Sequence, residues 1–255
     1  MWDVKPEHGK TIEGQLHELA RAHRVLALNG HVNMTLGHMA WRDPEGRGFW
    51  LKRSGLGFEE VGPEDFILVD FDGNKIFGSG GRHAEWPIHS EIFRARHDVH
   101  VVVHSHPINA AIFSACNAEL NGVCHEGVML ADRVAYYRKA QGLIRTIEQG
   151  RDLATVLGVK STVLMKNHGV TTCGQTIAAA ALAAIFVEKA CNAQLTAAAS
   201  QFGWSGPDEI DLQPGGAARL DLNQQLIADF WSYFMRRLDA YETEHPAAKP
   251  FNEKA

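Results

Sequence analysis

The chain has 255 residues, 45% of them hydrophobic and 22% charged, with a formal net charge of −5 at pH 7. This is the composition of an ordinary soluble globular protein, long enough for one sizeable core, and its acidic balance argues against a nucleic-acid-binding surface. The four cysteines (Cys116, Cys124, Cys173, Cys191) lie far apart with no C-x-x-C pair, so they read as small buried residues of a cytoplasmic protein and not as a disulfide frame or a zinc site.

The amino-terminal residues carry no apolar h-region, so no secretory signal is expected. Residues 10–28 place Ile12, Leu16, Leu19 and Leu26 at helical spacing and predict an amphipathic helix closed by Asn29-Gly30. Residues 38–41, 49–51, 66–69 and 75–77 are short apolar segments bounded by Asp43-Pro44, Ser54-Gly55, Asp72-Gly73 and the glycines of 78–81, and they predict antiparallel strands. Residues 86–96 predict a helix with Pro87 in the first turn, where its missing N–H costs nothing. Val101-Val102-Val103 predicts the end of a buried strand, which runs on through His104 and His106, stops at Pro107 and gives way to a helix from about Ile108. A turn at Asn121-Gly122 precedes residues 131–157, expected to be largely helical with an interruption or end near Gly150. Then come a strand at 161–165, a loop Lys166-Asn167-His168-Gly169 and a long helix over 176–199. The Ala-rich apolar run inside that helix, 176–187, is too short to span a bilayer. A Gly/Pro-rich loop at 204–216 leads to a last helix at 222–241 with Leu226, Phe230, Phe234 and Leu238 on one stripe, so that Phe230, Trp231, Tyr233 and Phe234 are expected in the core or a subunit contact. From Glu244 the chain is polar and Pro-containing, a loosely ordered tail. With no repeat and no linker, residues 1–255 read as one domain.

His104 and His106 alternate with Ser105, so on a strand both project from one face. Two imidazoles so spaced can grip one cation, and neutral imidazole suits Zn, Mn, Fe, Ni or Cu; an isolated H-x-H, however, reads first as two surface histidines at a strand end. His168 alone could cap, pack or stand exposed. Joined to the other two it completes three neutral nitrogens with one coordination position open, the arrangement of catalytic ions. Glu85 precedes the Trp86-Pro87 helix start, where a helix dipole favours an acidic residue and where, beside a dication, a carboxylate becomes a general acid/base. His89, one turn on, reads as a helix-surface residue or one that supports the site.

These residues resemble the class II aldolase/adducin-like superfamily over about 14–200. The resemblance rests on Leu36-Gly37-His38-Met39-Ala40-Trp41-Arg42, Leu51-Lys52-Arg53-Ser54-Gly55, Glu85-Trp86-Pro87-Ile88-His89, Val103-His104-Ser105-His106 and Asn167-His168-Gly169, in that order. It implies an α/β fold, three-layer α/β/α with a mostly antiparallel central sheet. It further implies a divalent metal (Zn, Mn, Co or Fe) on His104, His106 and His168, Glu85 as catalytic acid/base, and a homotetramer with active sites near subunit contacts. The sugar-phosphate aldolases of the superfamily seat phosphate with an Asn, an S-G pair and a serine pair before the Glu. Here His38 replaces the Asn, His83-Ala84 replaces the serine pair with Arg82 before it, and only Ser54-Gly55 survives. A phosphate cradle needs several convergent donors, whereas Arg82, Arg53, His83 and His38 suit carboxylates. The stretch from Arg82 to His89 is most similar to the superfamily's decarboxylases of dihydroxyphthalate and hydroxymethylpyridine dicarboxylate type. The expected function is therefore a metal-dependent lyase, a decarboxylase of a hydroxylated aromatic or heteroaromatic (di)carboxylate or ring-cleavage product. His38, Ser54, Gly55, Arg82, His83 and His125 are the expected substrate-binding residues, the partner being a small carboxylate and neither nucleic acid nor membrane.

The alternative within the superfamily is an aldolase or epimerase acting on a small hydroxy-carbonyl compound or sugar phosphate. Two more distant readings differ in class. His104-Ser105-His106 with Ser114 resembles the H-x-H-x7-S-x2-D motif of JAMM-type zinc isopeptidases, but Asn117 stands where the ligand Asp belongs. An adducin-like scaffold without catalysis is expected to lose the metal ligands, and all three histidines and Glu85 are present.

Overall fold

The computed structural model describes residues 2, 11–139, 142–213 and 215–246; most of the expected tail, and the start of the first helix at Lys10, lie outside them. Thr11 begins α1 (Ile12–Leu28), its hydroxyl accepting the Gly14 N–H at 3.1 Å. Strands β1 (His38–Arg42), β2 (Phe49–Lys52), β3 (Phe66–Val69) and β4 (Lys75–Phe77) follow, then α2 (Trp86–Ala95), β5 (Val101–Ser105) and α3 (Ile108–Ala115). Next come α4 (His125–Met129), β6 (Val134–Tyr137), α5 (Ile147–Leu157), β7 (Thr162–Met165) and β8 (Gly169–Gly174). The long α6 (Ile177–Ala199), the single-turn α7 (Glu209–Leu212) and α8 (Gln224–Glu244) complete the order.

The eight strands form one sheet in the order β4-β3-β2-β1-β5-β8-β7-β6. Every pairing is antiparallel except β6 with β7, so the sheet is mixed but mostly antiparallel, as expected. Because side chains alternate along a strand, every strand but the exposed edge strand β4 feeds two apolar clusters. Val101 and Val103 join one, with Leu19, Leu182 and Trp231 of α1, α6 and α8; Val102 joins the other, with Ile88 and Phe93 of α2 and Leu153 of α5. Burying each such side chain contributes about 1.5–3 kcal/mol, which locks the register that places His38 directly opposite His104 on the α2 side.

Two expectations for the second half are corrected. Residues 131–157 are not one helical stretch: Val134–Tyr137 forms β6, because its β-branched and aromatic residues pair in parallel with β7, and only Ile147–Leu157 is helical. Beyond His168 the structure adds β8, which the sequence reading left unassigned and which lies inside the sheet between β5 and β7. The expected loop at 204–216 contains one helical turn, α7. In the last helix Trp231 and Phe234 are buried as expected, whereas Tyr233 is exposed. Helix α6 runs past its apolar stretch to 23 residues, long and apolar enough to cross a membrane by length and composition, but 78% of its apolar window is buried within the fold. Its alanines allow that burial: the Gly174 Cα lies so near the helix that an added Cβ would meet the Ala180 nitrogen at 2.8 Å.

Polar groups tie these layers together where apolar ones cannot. Pro107 offers no side-chain cap to α3, and the buried Glu188 carboxylate of α6 does so instead, accepting the Asn109 and Ala110 N–H groups at 3.1 and 2.8 Å. His23 of α1 donates Nδ1–H to the Leu19 carbonyl at 2.8 Å and accepts the Met39 N–H on Nε2 at 3.2 Å, fixing β1 against the helix.

Burial holds His23 and His31 at a pKa of about 3, below the ordinary 6.5. The unfolded chain takes up these protons below pH 6.5 and the folded chain does not, so their contribution to stability is complete above that pH and is lost as pH falls toward 3. By pH 5 each group costs about 2 kcal/mol. The urea midpoint is expected to drop steeply between pH 7 and 5; a midpoint unchanged over that interval contradicts neutral, buried imidazoles.

Candidate metal centre and active site

Three segments remote in sequence meet where β5 and β8 lie side by side. His104 is the penultimate residue of β5, opposite Thr171 of β8. The Val170 carbonyl lies 3.1 Å from His104 Nδ1, and a carbonyl can only accept. Nδ1 therefore carries the proton, and Nε2 presents a lone pair. His106 lies just past the strand, not on it, yet its Nε2 comes within 3.0 Å of His104 Nε2, while the Asn33 amide stands 3.3 Å from its Nδ1. His168 ends the three-residue turn between β7 and β8, shaped by Asn167 at φ 59°, a left-handed conformation that Asn tolerates.

Glu85 sits at the start of α2 without capping it. Its Oε1 accepts the Ile144 N–H at 2.7 Å, and its Oε2 lies 3.5 Å from His104 Nε2 and 3.6 Å from His168 Nε2. The four candidate ligand atoms of Glu85, His104, His106 and His168 all lie within 4.8 Å of one another. A tetrahedral ion with bonds of about 2.0–2.1 Å holds its ligand atoms about 3.4 Å apart, and the separations of 3.0, 3.5 and 3.6 Å bracket that value. His168 Nε2 is buried with no hydrogen-bond partner, a state that a coordinate bond relieves. The residues fit a divalent ion.

The electrostatics agree with that donor set. Burial lowers the pKa of His104 despite the opposing pull of Glu85. Burial, with His104 and His168 alongside, pushes His106 down to about 3. Burial alone would push the Glu85 carboxyl up, but its contacts with His104 and His168 outweigh this and hold it below the usual carboxylate range. His104 and His106 thus offer neutral imidazole nitrogens and Glu85 a carboxylate, the ligand types that zinc and its neighbours bind.

Residues 17–195 match the family described as Class II Aldolase and Adducin N-terminal domain. The chain belongs to this family. It is 30% identical over 196 residues to 3,4-dihydroxyphthalate decarboxylase of Arthrobacter keyseri, covering 70% of this chain and 76% of that one. It is 32% identical over 174 residues to the decarboxylase NovR of Streptomyces niveus, covering 68% of this chain and 62% of the relative. Among solved structures it is similar to L-fuculose 1-phosphate aldolase of Glaciozyma antarctica PI12, with a TM-score of 0.77, 28% identity and coverage of 94% and 96% of the two chains.

The other residues expected to bind substrate in this class II aldolase–adducin chain divide into two groups. His38 and His83 are at the cluster: the His38 ring centroid is 4.5 Å from that of His83 and 5.2 Å from that of His104. His83, which burial holds at about 3, directs Nε2–H at the Arg53 carbonyl 3.3 Å away, leaving Nδ1 as an acceptor. Ser54 donates its N–H to the Gly81 carbonyl at 2.8 Å, binding the Ser54-Gly55 turn to the segment that leads into Glu85, and Gly55 has φ +92° with open space beside its Cα. Arg82 differs from expectation: its guanidinium donates to the Gly73 carbonyl at 2.5 Å and lies 4.7 Å from the centre of the Trp86 ring. His125 stands exposed at the first position of α4 and contacts none of the cluster residues among those described.

Of the two readings of His89, the structure excludes the helix surface: it is fully buried because its position on α2 faces the sheet, and its Nε2 lies 2.6 Å from His38 Nδ1. Sequence reasoning also missed Ile144, whose N–H holds Glu85. Glu85 and Ile144 are 59 residues apart, and backbone donation leaves no side-chain signal to read.

Gly169 sets the approach of His168 to His106. A Cβ there would meet the Ser105 carbonyl oxygen at 2.4 Å and His106 Cδ2 at 2.8 Å. Overpacking of this kind costs about 1–3 kcal/mol, so Gly169→Ala is expected to lower Tm by several degrees and to reduce the zinc that the purified protein retains. Wild-type values for both would show that the β5–β8 approach does not set the cluster.

Proposed function

We propose that the protein is a divalent-metal-dependent carbon–carbon lyase of the cytoplasm, and within that class a decarboxylase of a hydroxylated aromatic or heteroaromatic (di)carboxylate or ring-cleavage product. The observation that carries this is the Glu85–His104–His106–His168 cluster flanked by the imidazoles of His38 and His83, at positions where sugar-phosphate aldolases place phosphate-binding Asn and Ser. Relatives named as decarboxylases, at 30% and 32% identity, support the choice.

In this reading His104, His106 and His168 hold Zn, Mn, Co or Fe. Such an ion would supply an electron sink for the charge that develops as the carbon–carbon bond breaks. Glu85, ionised at neutral pH, accepts the proton of the substrate's ring hydroxyl on Oε2 while the Ile144 N–H steadies Oε1. After CO2 leaves, the same oxygen returns the proton to the ring carbon. His38 meets a substrate oxygen, and the Ser54-Gly55 turn closes that side of the chamber.

The 28% identity to L-fuculose 1-phosphate aldolase across 94% of this chain favours the second reading, an aldolase that stabilises an enediolate with the same groups. We also read the chain as a single three-layer domain, since α8, outside residues 17–195, packs on α1 and α6. A homotetramer with sites near subunit contacts is supported by exposed apolar residues on the segments that follow Asn33 and His106, namely Met34, Leu36, Ile108 and Ile112. Light scattering that finds a monomer removes that part of the reading.

Metal-loaded protein incubated with hydroxyaromatic dicarboxylates and with sugar phosphates is expected to release CO2 from the former; cleavage of the latter alone to an aldehyde and a ketone phosphate would select the aldolase. Chelation, or His104→Ala, should remove metal and turnover together. Glu85→Gln should lower kcat by about 10²–10⁴-fold with the metal retained, and undiminished turnover would end its assignment as acid/base.

A further inference from the structure

The His38–His89 pair has no part in holding an ion, yet it is a buried side-chain hydrogen bond directly behind the cluster. Its geometry allows two neutral arrangements. Either His89 Nε2–H donates to His38 Nδ1, or His38 Nδ1–H donates to His89 Nε2. The two differ in what remains at the far nitrogens. His89 Nδ1 is buried and has no hydrogen-bond partner. In the first arrangement that nitrogen is a bare lone pair; in the second it is an unpartnered N–H, and orphaned buried donors are rarer in proteins than under-satisfied acceptors.

The other side of His38 decides the same way. The two nitrogens of an imidazole point to different sides of the ring, so His38 Nε2 faces away from His89, and the rings of His83 and His104 lie 4.5 and 5.2 Å from that of His38. His83 Nδ1 is a lone pair, because its partner nitrogen donates to the carbonyl of Arg53. A lone pair from His38 beside it would be repelled, whereas an N–H would be attracted.

We infer that His89 is a positioning residue that locks His38 as its Nε2–H tautomer, so that His38 offers a fixed N–H donor to an anionic oxygen, a carboxylate or phenolate, of the ligand at the cluster. His89 is fully buried and cannot itself touch a ligand. Nor does packing account for it: Phe49 lies 6.1 Å from its ring on an otherwise apolar helix face, where a hydrocarbon side chain would leave no unpartnered nitrogen. This rests on the lyase reading for the ligand's identity, but the tautomer itself does not.

The tautomer is read directly. In zinc-loaded, ¹⁵N-histidine-labelled protein, long-range ¹H–¹⁵N correlation, with the His38 ring assigned by its loss in His38→Asn, is expected to show the proton on His38 Nε2. It should stay there in His89→Gln, whose amide N–H can still donate, and shift toward Nδ1 in His89→Phe. In turnover on whichever substrate the panel identifies, His89→Phe should raise KM about tenfold with kcat changed by less than about threefold, and His89→Gln should restore KM. A proton on His38 Nδ1 in the wild type, or a tautomer indifferent to His89→Phe, overturns the inference even if the enzyme proves to be a lyase. Should the panel find no turnover, the wild-type spectrum alone still decides it.

Discussion

The hydrogen bond from His104 Nδ1–H to the Val170 carbonyl is the interaction on which the site depends. It crosses from β5 to β8, so it exists only in the register that pairs His104 with Thr171. A slip of one residue would turn His104 to the opposite face of the sheet. The same bond makes Nε2 the free nitrogen and sends its lone pair toward Glu85, His106 and His168. Sheet register and ligand chemistry are thus set by one contact, and the apolar alternation of Val101, Val102 and Val103 holds that contact in place.

Placing so many imidazoles in a protein interior has a cost. His23, His31, His38, His89 and His104 are all buried, and burial lowers each of their pKa values. Carbonyls and N–H groups satisfy some of these rings: Leu19 and Met39 for His23, Val170 for His104, Arg53 for His83. Among the described residues, His89 Nδ1 and His168 Nε2 are buried without a hydrogen-bond partner. Of these only His168 Nε2 belongs to the candidate ligand set, where a cation would complete it.

Family membership fixes the scaffold more firmly than the reaction. The chain is similar both to relatives named as decarboxylases and to a solved L-fuculose 1-phosphate aldolase. Beside the cluster the fold places the imidazoles of His38 and His83. Of that pair, His83 already directs its N–H at a backbone carbonyl, so the capacity to donate to a ligand falls to His38. Arg82, the obvious carboxylate partner by residue type, stacks on Trp86 and bonds to Gly73.

The sequence by itself determined the elements whose signals are local. Caps, proline positions and short apolar runs bounded by turn residues marked α1, α2, α6 and α8 and the strands β1 to β5 and β7, and the H-x-H and N-H-G strings with Glu85 named the residues that meet at the cluster. It could not separate β6 from the helix after it or find β8, because both exist through pairing with β7 and, for β8, with β5 as well. Nor could it show which nitrogen of each imidazole is protonated, that His89 turns inward to His38, or that Arg82 turns to Gly73. Those outcomes depend on hydrogen-bond partners tens of residues away in the chain, and only the folded structure brings such partners within reach.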